Sequence, residues 1–158
     1  MSDDNKENVI IDETDKKIIE MVNDDARTPY RQISRELDIS VGTVHNRVDK
    51  LLKTGIIKKF APIIDHKKLG YDLTSIIGVK VKAGQFQDWK ENESFNKHVL
   101  FIYDVTGEFD AFLIAKFKNT DELDKFVKDL LKEPHVERTY TQTVLNVVKE
   151  EPCSIHML

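Results

Sequence analysis

The sequence predicts an α+β chain of two domains, a small helical one followed by a larger one with the element order β-α-β-β-α-β. Two observations carry this. Apolar residues recur at the helical period up to about residue 60 and at period two from residue 74 onward. The helical part also holds three cap-bounded segments between Asp12 and Gly55. At 158 residues, 40% apolar and 33% charged, the chain has the composition of a globular protein able to fill two small cores.

Residues 1–11 open polar and acidic, without periodicity until Val9-Ile10-Ile11, and are expected to be a disordered extension. The first domain is expected over 12–60. Asp12 caps a first helix, with Glu13 and Asp15 in its first turn and Ile18, Ile19 and Val22 on one face. Thr28-Pro29 offers an N-cap followed by proline at the first helical position, and Tyr30, Ile33 and Leu37 share a face. Ser40 caps a third helix with the stripe Val44, Val48, Leu51 and Leu52, and Gly55 supplies the left-handed residue beyond its end. "IIKKFAPIID" then reads as extended chain, and residues 61–73, with the polar turn "HKKLGYD", read as a hinge.

The second domain is expected over 74–150. Strands are predicted at 74–82, 99–106 and 109–117, the last two joined by a tight turn, with a final strand within 135–150. A weak helix is predicted at 85–97. A strong one is predicted at 119–133, with Leu123, Phe126, Val127, Leu130 and Leu131 on one face and Pro134 at its end. The order is that of a ferredoxin-like sandwich, a sheet with helices on one face, whose other face a second copy of the chain would cover most simply. The tail 151–158 carries no readable signal.

The net charge of −4 hides a partition. Residues 1–25 carry −6. Residues 26–60 carry eight basic side chains against three acidic ones, a net of +5, and the remainder carries −3. A polyanion needs a local positive field rather than a basic whole, so the short basic block points to double-stranded DNA. On the third helix the side opposite the apolar stripe carries Gly42, Thr43, Asn46, Asp49, Lys50 and Lys53, flanked by His45 and Arg47. Residues near a recognition helix's N-terminus face base edges, which suits Ser40, Thr43, His45, Asn46 and Arg47, with asparagine matched to adenine and arginine to guanine. Lys50, Lys53, Arg27 and Arg31 are expected at phosphates. The chain shows no phosphate-binding glycine loop and no H-E-x-x-H. Its histidines 45, 66, 98, 135 and 156 are scattered, and Cys153 with His156 makes only two ligands. No catalytic residue, metal or cofactor is expected. Without an apolar run of about 18 residues or a secretory signal, no membrane contact and a cytoplasmic location are expected.

Residues 11–60 resemble the helix-turn-helix, of winged type, of the Lrp/AsnC (feast/famine) regulators. The matching elements are D-x-x-D-x-x-I-I at 12–19, D-A-R at 25–27, I-S-x-x-L-x-I-S at 33–40, V-x-x-R-V at 44–48 and L-x-x-x-G-I-I at 51–57. "KKLGYDL" resembles the family's hinge, and "VTGEFDAFLIAKF" with "HVERTYTQTVL" resembles its ligand-sensing domain. The resemblance implies a sequence-specific transcriptional regulator that binds palindromic operators as a homodimer, often assembled into octamers. It also implies an effector pocket, between dimers, lined by the turn Thr106, Gly107, Glu108 to Asp110 and by Thr139, Thr141 and Thr143 of the last strand. A free amino acid would suit such a site, with Asp110 receiving its ammonium group and turn N–H groups its carboxylate. A glycine turn and a β-favouring threonine row also arise without any ligand. Glu93 departs from the family by standing at a usually apolar position, so the helix at 85–97 is expected to be short, with Trp89 and Phe95 either in the core or at a subunit contact. The alternative implied by the same resemblance is a related tetrapyrrole (siroheme-type) decarboxylase.

Overall fold

The structure, a computed structural model, describes residues 10–83 and 97–150. The chain divides into two compact units between Ile63 and Ile64. The first holds α1 (Glu13–Asp24), α2 (Tyr30–Leu37) and α3 (Val41–Lys53). α1 starts at a capping box made from two aspartates. The Asp15 N–H donates to Asp12 Oδ1 at 2.8 Å, and the Asp12 N–H donates to Asp15 Oδ2 at 3.3 Å.

α2 starts one residue later than predicted. Pro29 is its N-cap, in extended conformation, and not its first helical residue. The physical reason lies in Thr28, whose N–H and hydroxyl both donate to the Asp25 carbonyl, at 2.9 and 2.7 Å, to close the α1–α2 turn. That leaves no side-chain cap for α2, and the Pro29 carbonyl opens the helix by accepting from Gln32 and Ile33. α2 ends at Asp38 in the left-handed region, φ 52°, so only Asp38 and Ile39 separate it from Ser40. Ser40 Oγ accepts from the Thr43 N–H at 3.0 Å and caps α3 as predicted. Gly55, φ 74°, follows the helix and donates its N–H to the Leu52 carbonyl. Ile18, Val22, Ile33, Val44, Val48 and Leu51 form the buried centre of this unit. Each such side chain contributes about 1.5–3 kcal/mol through removal from water. Residues 56–65 carry neither helix nor strand, and a short 3₁₀ turn, Lys67–Leu69, leads into the second unit.

That unit contains β1 (Leu73–Val81), β2 (Val99–Asp104), β3 (Ala111–Phe117), α4 (Thr120–Lys132) and β4 (Val136–Thr143). The strands make one antiparallel sheet in the order β2-β3-β1-β4, so β1 and β3 are central. The predicted helix over 85–97, with Trp89 and Phe95, lies outside the described residues except for its last position, Lys97. Asn119 caps α4 by accepting the Glu122 N–H at 2.9 Å. Ile77, Val79, Val81, Leu113, Phe117 and Leu130 anchor the core between sheet and helix.

On the opposite face of the sheet, register places Phe101 and Tyr103 of β2 beside Ile114 and Phe112 of β3, and Gly78 between Phe112 and Tyr140. Phe101, Tyr103 and Tyr140 are exposed, and Phe101 stacks on Tyr103 with ring centroids 6.0 Å apart. Phe109 folds over Gly78. A Cβ there would stand 3.1 Å from both the Phe109 and Phe112 rings, which is why glycine occupies a strand centre.

Candidate nucleic-acid interface

α3 buries Val44, Val48 and Leu51 and exposes Gly42, His45, Asn46, Lys50 and Lys53. Asn46 makes no side-chain hydrogen bond among the described residues, so its amide donor and acceptor are both open. His45 is braced from two sides. Its Nδ1 lies 3.6 Å from Asp49 Oδ2, and its ring stands edge-on to Tyr30 of α2 at 6.1 Å. Thr43 is half-buried, its hydroxyl 2.8 Å from Ser40 Oγ. Arg31, on α2, is exposed, and Arg27, in the turn before it, is 91% exposed with its Nε 3.4 Å from Asp25. Among the positions expected to meet DNA, the structure thus gathers His45, Asn46 and Lys53 on one exposed face of α3.

Arg47 takes a different direction in this structure. The sequence reading sends it toward a base, but its guanidinium turns inward to α1. Nη1 donates to Asp12 at 2.9 and 2.8 Å and to Asp15 Oδ1 at 2.7 Å. The reason is positional: Arg47 is three residues after Val44 and four before Leu51, at the rim of the buried stripe and within reach of the first turn of α1. Lys50, one turn further along that flank, is also engaged. Its Nζ donates to the Ile10 carbonyl at 3.1 Å and lies 3.4 Å from Asp15 Oδ2. Asp15 is fully buried. Burial pushes its carboxyl up, but the Arg47 guanidinium, the Asp12 N–H and Lys50 outweigh it, and the net pKa is lowered. The Asp15 N–H, then Arg47, hold the Asp12 carboxyl low as well. Sequence reasoning missed Asp12 and Asp15 as partners of α3. The available signal was a pair of acids at a helix start together with an arginine at the edge of an apolar stripe.

In the second unit, the turn between β2 and β3 spans residues 105–110, longer than predicted, and is closed by the Val105 N–H donating to the Asp110 carbonyl at 3.1 Å. The Asp110 N–H donates to the Val79 carbonyl at 2.9 Å, and its carboxylate accepts the Val81 N–H at 2.7 Å and the Lys80 ammonium at 3.3 Å. The Val81 bond, helped by Lys80 against the opposing effect of burial, holds the Asp110 carboxyl below the usual range. The acid expected to receive a ligand's ammonium group is therefore already partnered within the chain. Glu108 is paired with Arg138 at 2.7 Å, which ties the turn to β4. Gly107 takes φ 120°, the conformation that requires glycine there, and Thr106 is exposed. Thr139, Thr141 and Thr143 share a strand face but pair with Val79, Ile77 and Ser75, the face directed at the core. Arg138 and Tyr140 alternate with them onto the other face, so one chain does not join the turn's Glu108–Arg138 bridge to the threonine row.

Comparison with known proteins assigns both units. Residues 11–58 match the family model for winged helix-turn-helix DNA-binding domains, and residues 74–153 match that for the Lrp/AsnC ligand-binding domain. The chain belongs to the Lrp/AsnC family. An uncharacterised HTH-type transcriptional regulator of Pyrococcus abyssi is 43% identical over 142 residues, covering 90% of this chain and 97% of that one. The solved structure of Escherichia coli AsnC superposes with a TM-score of 0.85 at 25% identity, covering 91% of this chain and 98% of its own. A Neisseria meningitidis transcriptional regulator solved as a complex with L-Met shares the fold at a TM-score of 0.85 and 24% identity, covering 94% of this chain and 100% of its own. This Lrp/AsnC protein is accordingly an HTH-type, DNA-binding transcriptional regulator, with the three helices as its DNA-binding part. The tetrapyrrole-decarboxylase alternative gains no support from these relatives. Among the described residues no helix is long and apolar enough to cross a membrane, and no three His, Cys, Asp or Glu side chains are grouped to hold a metal ion.

Proposed function

We propose that this cytoplasmic regulator binds a palindromic operator as a homodimer, each protomer laying α3 in one of two successive major grooves about 34 Å apart. The observation that carries the reading is the exposed amide of Asn46, unpartnered among the described residues, beside His45 on a helix capped by Ser40. Asn46 reads an adenine edge, His45 and Thr43 lie at neighbouring positions, and Arg27, Arg31 and Lys53 meet phosphates. Lys50 is drawn toward Asp15, so three phosphate contacts per protomer, six per dimer, give a log–log salt slope of about −5. Supporting the dimer is the aromatic sheet face of Phe101, Tyr103 and Tyr140, a contiguous apolar surface of the kind that marks an interface.

The ligand-binding domain senses a free amino acid in this reading, supported by the family match over 74–153 and by the fold neighbour solved with L-Met. The Asp110 carboxylate acts by bracing the turn, and the backbone N–H groups of Thr106, Gly107 and Glu108 hold the ligand's carboxylate. Of the β4 threonines, the exposed Thr143 adds its hydroxyl from a neighbouring protomer, while Thr139 and Thr141 stay directed at the core of their own unit. Selection of bound fragments from random-sequence DNA, followed by salt titration with and without an amino-acid pool, tests the whole reading. A palindromic consensus is expected, and Asn46→Ala is expected to relax preference at one position by about 1–3 kcal/mol. An unchanged consensus in that variant overturns the placement of α3.

A further inference from the structure

The capping box of α1 and the second turn of α3 form a single ionic unit. Asp12 and Asp15 satisfy each other's N–H groups and also receive Arg47, while Lys50 completes the coordination of Asp15 and reaches the Ile10 carbonyl. Two acids face two bases, so the cluster is neutral where phosphates would approach. Asp15 is fully buried, and the Arg47 side chain is 28% exposed. Arg47 is the immediate neighbour of Asn46, and its planar fork fixes distance and rotation at once, as a flexible ammonium does not. We infer that Arg47 is a positioning residue, which does not touch DNA but sets, through Asp12 and Asp15, the rotation at which α3 presents His45, Asn46 and Lys53. The inference rests on the operator reading above. It assigns the D-x-x-D and V-x-x-R-V elements of the sequence to one device.

The test uses the full chain, with dissociation constants measured by fluorescence anisotropy on the selected operator and on a random duplex of equal length, over a range of salt. Arg47→Gln, Asp15→Asn, their combination, and Arg47→Lys are compared. Arg47→Gln and Asp15→Asn are each expected to cut the operator-to-random ratio about tenfold, with the double variant close to either single one. Loss of folded protein alone would weaken both duplexes equally and leave that ratio unmoved. The salt slope stays that of the unaltered protein, and Arg47→Lys, which keeps charge but not the fork, also loses discrimination. The inference is overturned if Arg47→Gln reduces the slope by about one, Arg47→Lys is silent and Asp15→Asn binds normally, the pattern of a direct phosphate contact. A thermal double-mutant cycle of Asp15 and Arg47, done without DNA, must also show coupling, and independence of the two losses overturns the positioning role alone. An unaltered protein that enriches no sequence overturns the operator reading and the positioning role with it.

Discussion

Asp15 shows how one side chain can serve two elements. Its carboxylate caps α1 and receives Arg47 and Lys50 of α3, all while fully buried. Its pKa in the folded chain is lowered from an unfolded value near 3.9, so its contribution to stability is fully present above that value and fades as pH falls through the folded one. Asp15→Asn is expected to cost about 2 kcal/mol at neutral pH. In urea melts the gap between the two proteins should narrow below pH about 4, and a gap that persists in acid would mean that charge is not its source. At this scale the sequence was partly legible. Ser40, Asp12 and Gly55 announce their roles through local chemistry alone. The direction of Arg47 was not legible, since a helical wheel places it at the border of the stripe and only Asp12 and Asp15, 35 and 32 positions away, decide which side it takes.

The elements themselves were read from period and punctuation, and the departures are instructive. α2 begins at Tyr30 and not Pro29 because the Thr28 hydroxyl serves the preceding turn. Within the β2–β3 connection the Asp110 carboxylate is engaged by β1, a partner that no local pattern reveals. The candidate effector turn was likewise visible as a glycine-bearing hairpin, while the engagement of its acid with Lys80 and Val81 depends on tertiary pairing. The link between α2 and α3 is short enough that the cap of α3 matters: Ser40→Ala should lower stability by about 1 kcal/mol, read as a drop in the thermal midpoint. The loss should equal that of Ser40→Ala made in an Asp15→Asn background, since the two devices sit at opposite ends of separate contacts.

For the whole molecule, the charge partition and the aromatic sheet face point outward, the first to nucleic acid and the second to a copy of the chain. Tyr103→Asp, made where β2 stacks Tyr103 on Phe101, should split the proposed dimer in sedimentation experiments and halve the salt slope from about −5 to about −3. Splitting without a change in slope would separate assembly from DNA binding. The cluster that joins α1 to α3 has a consequence for local motion. The first turn of a helix is ordinarily where fraying starts, at almost no cost. In this protein unwinding the start of α1 would strip Asp12 and Asp15 from Arg47, so opening that terminus also costs its ionic contacts with α3. The start of α1 is therefore pinned by another helix as well as by its own cap, and its fraying is expected to be suppressed.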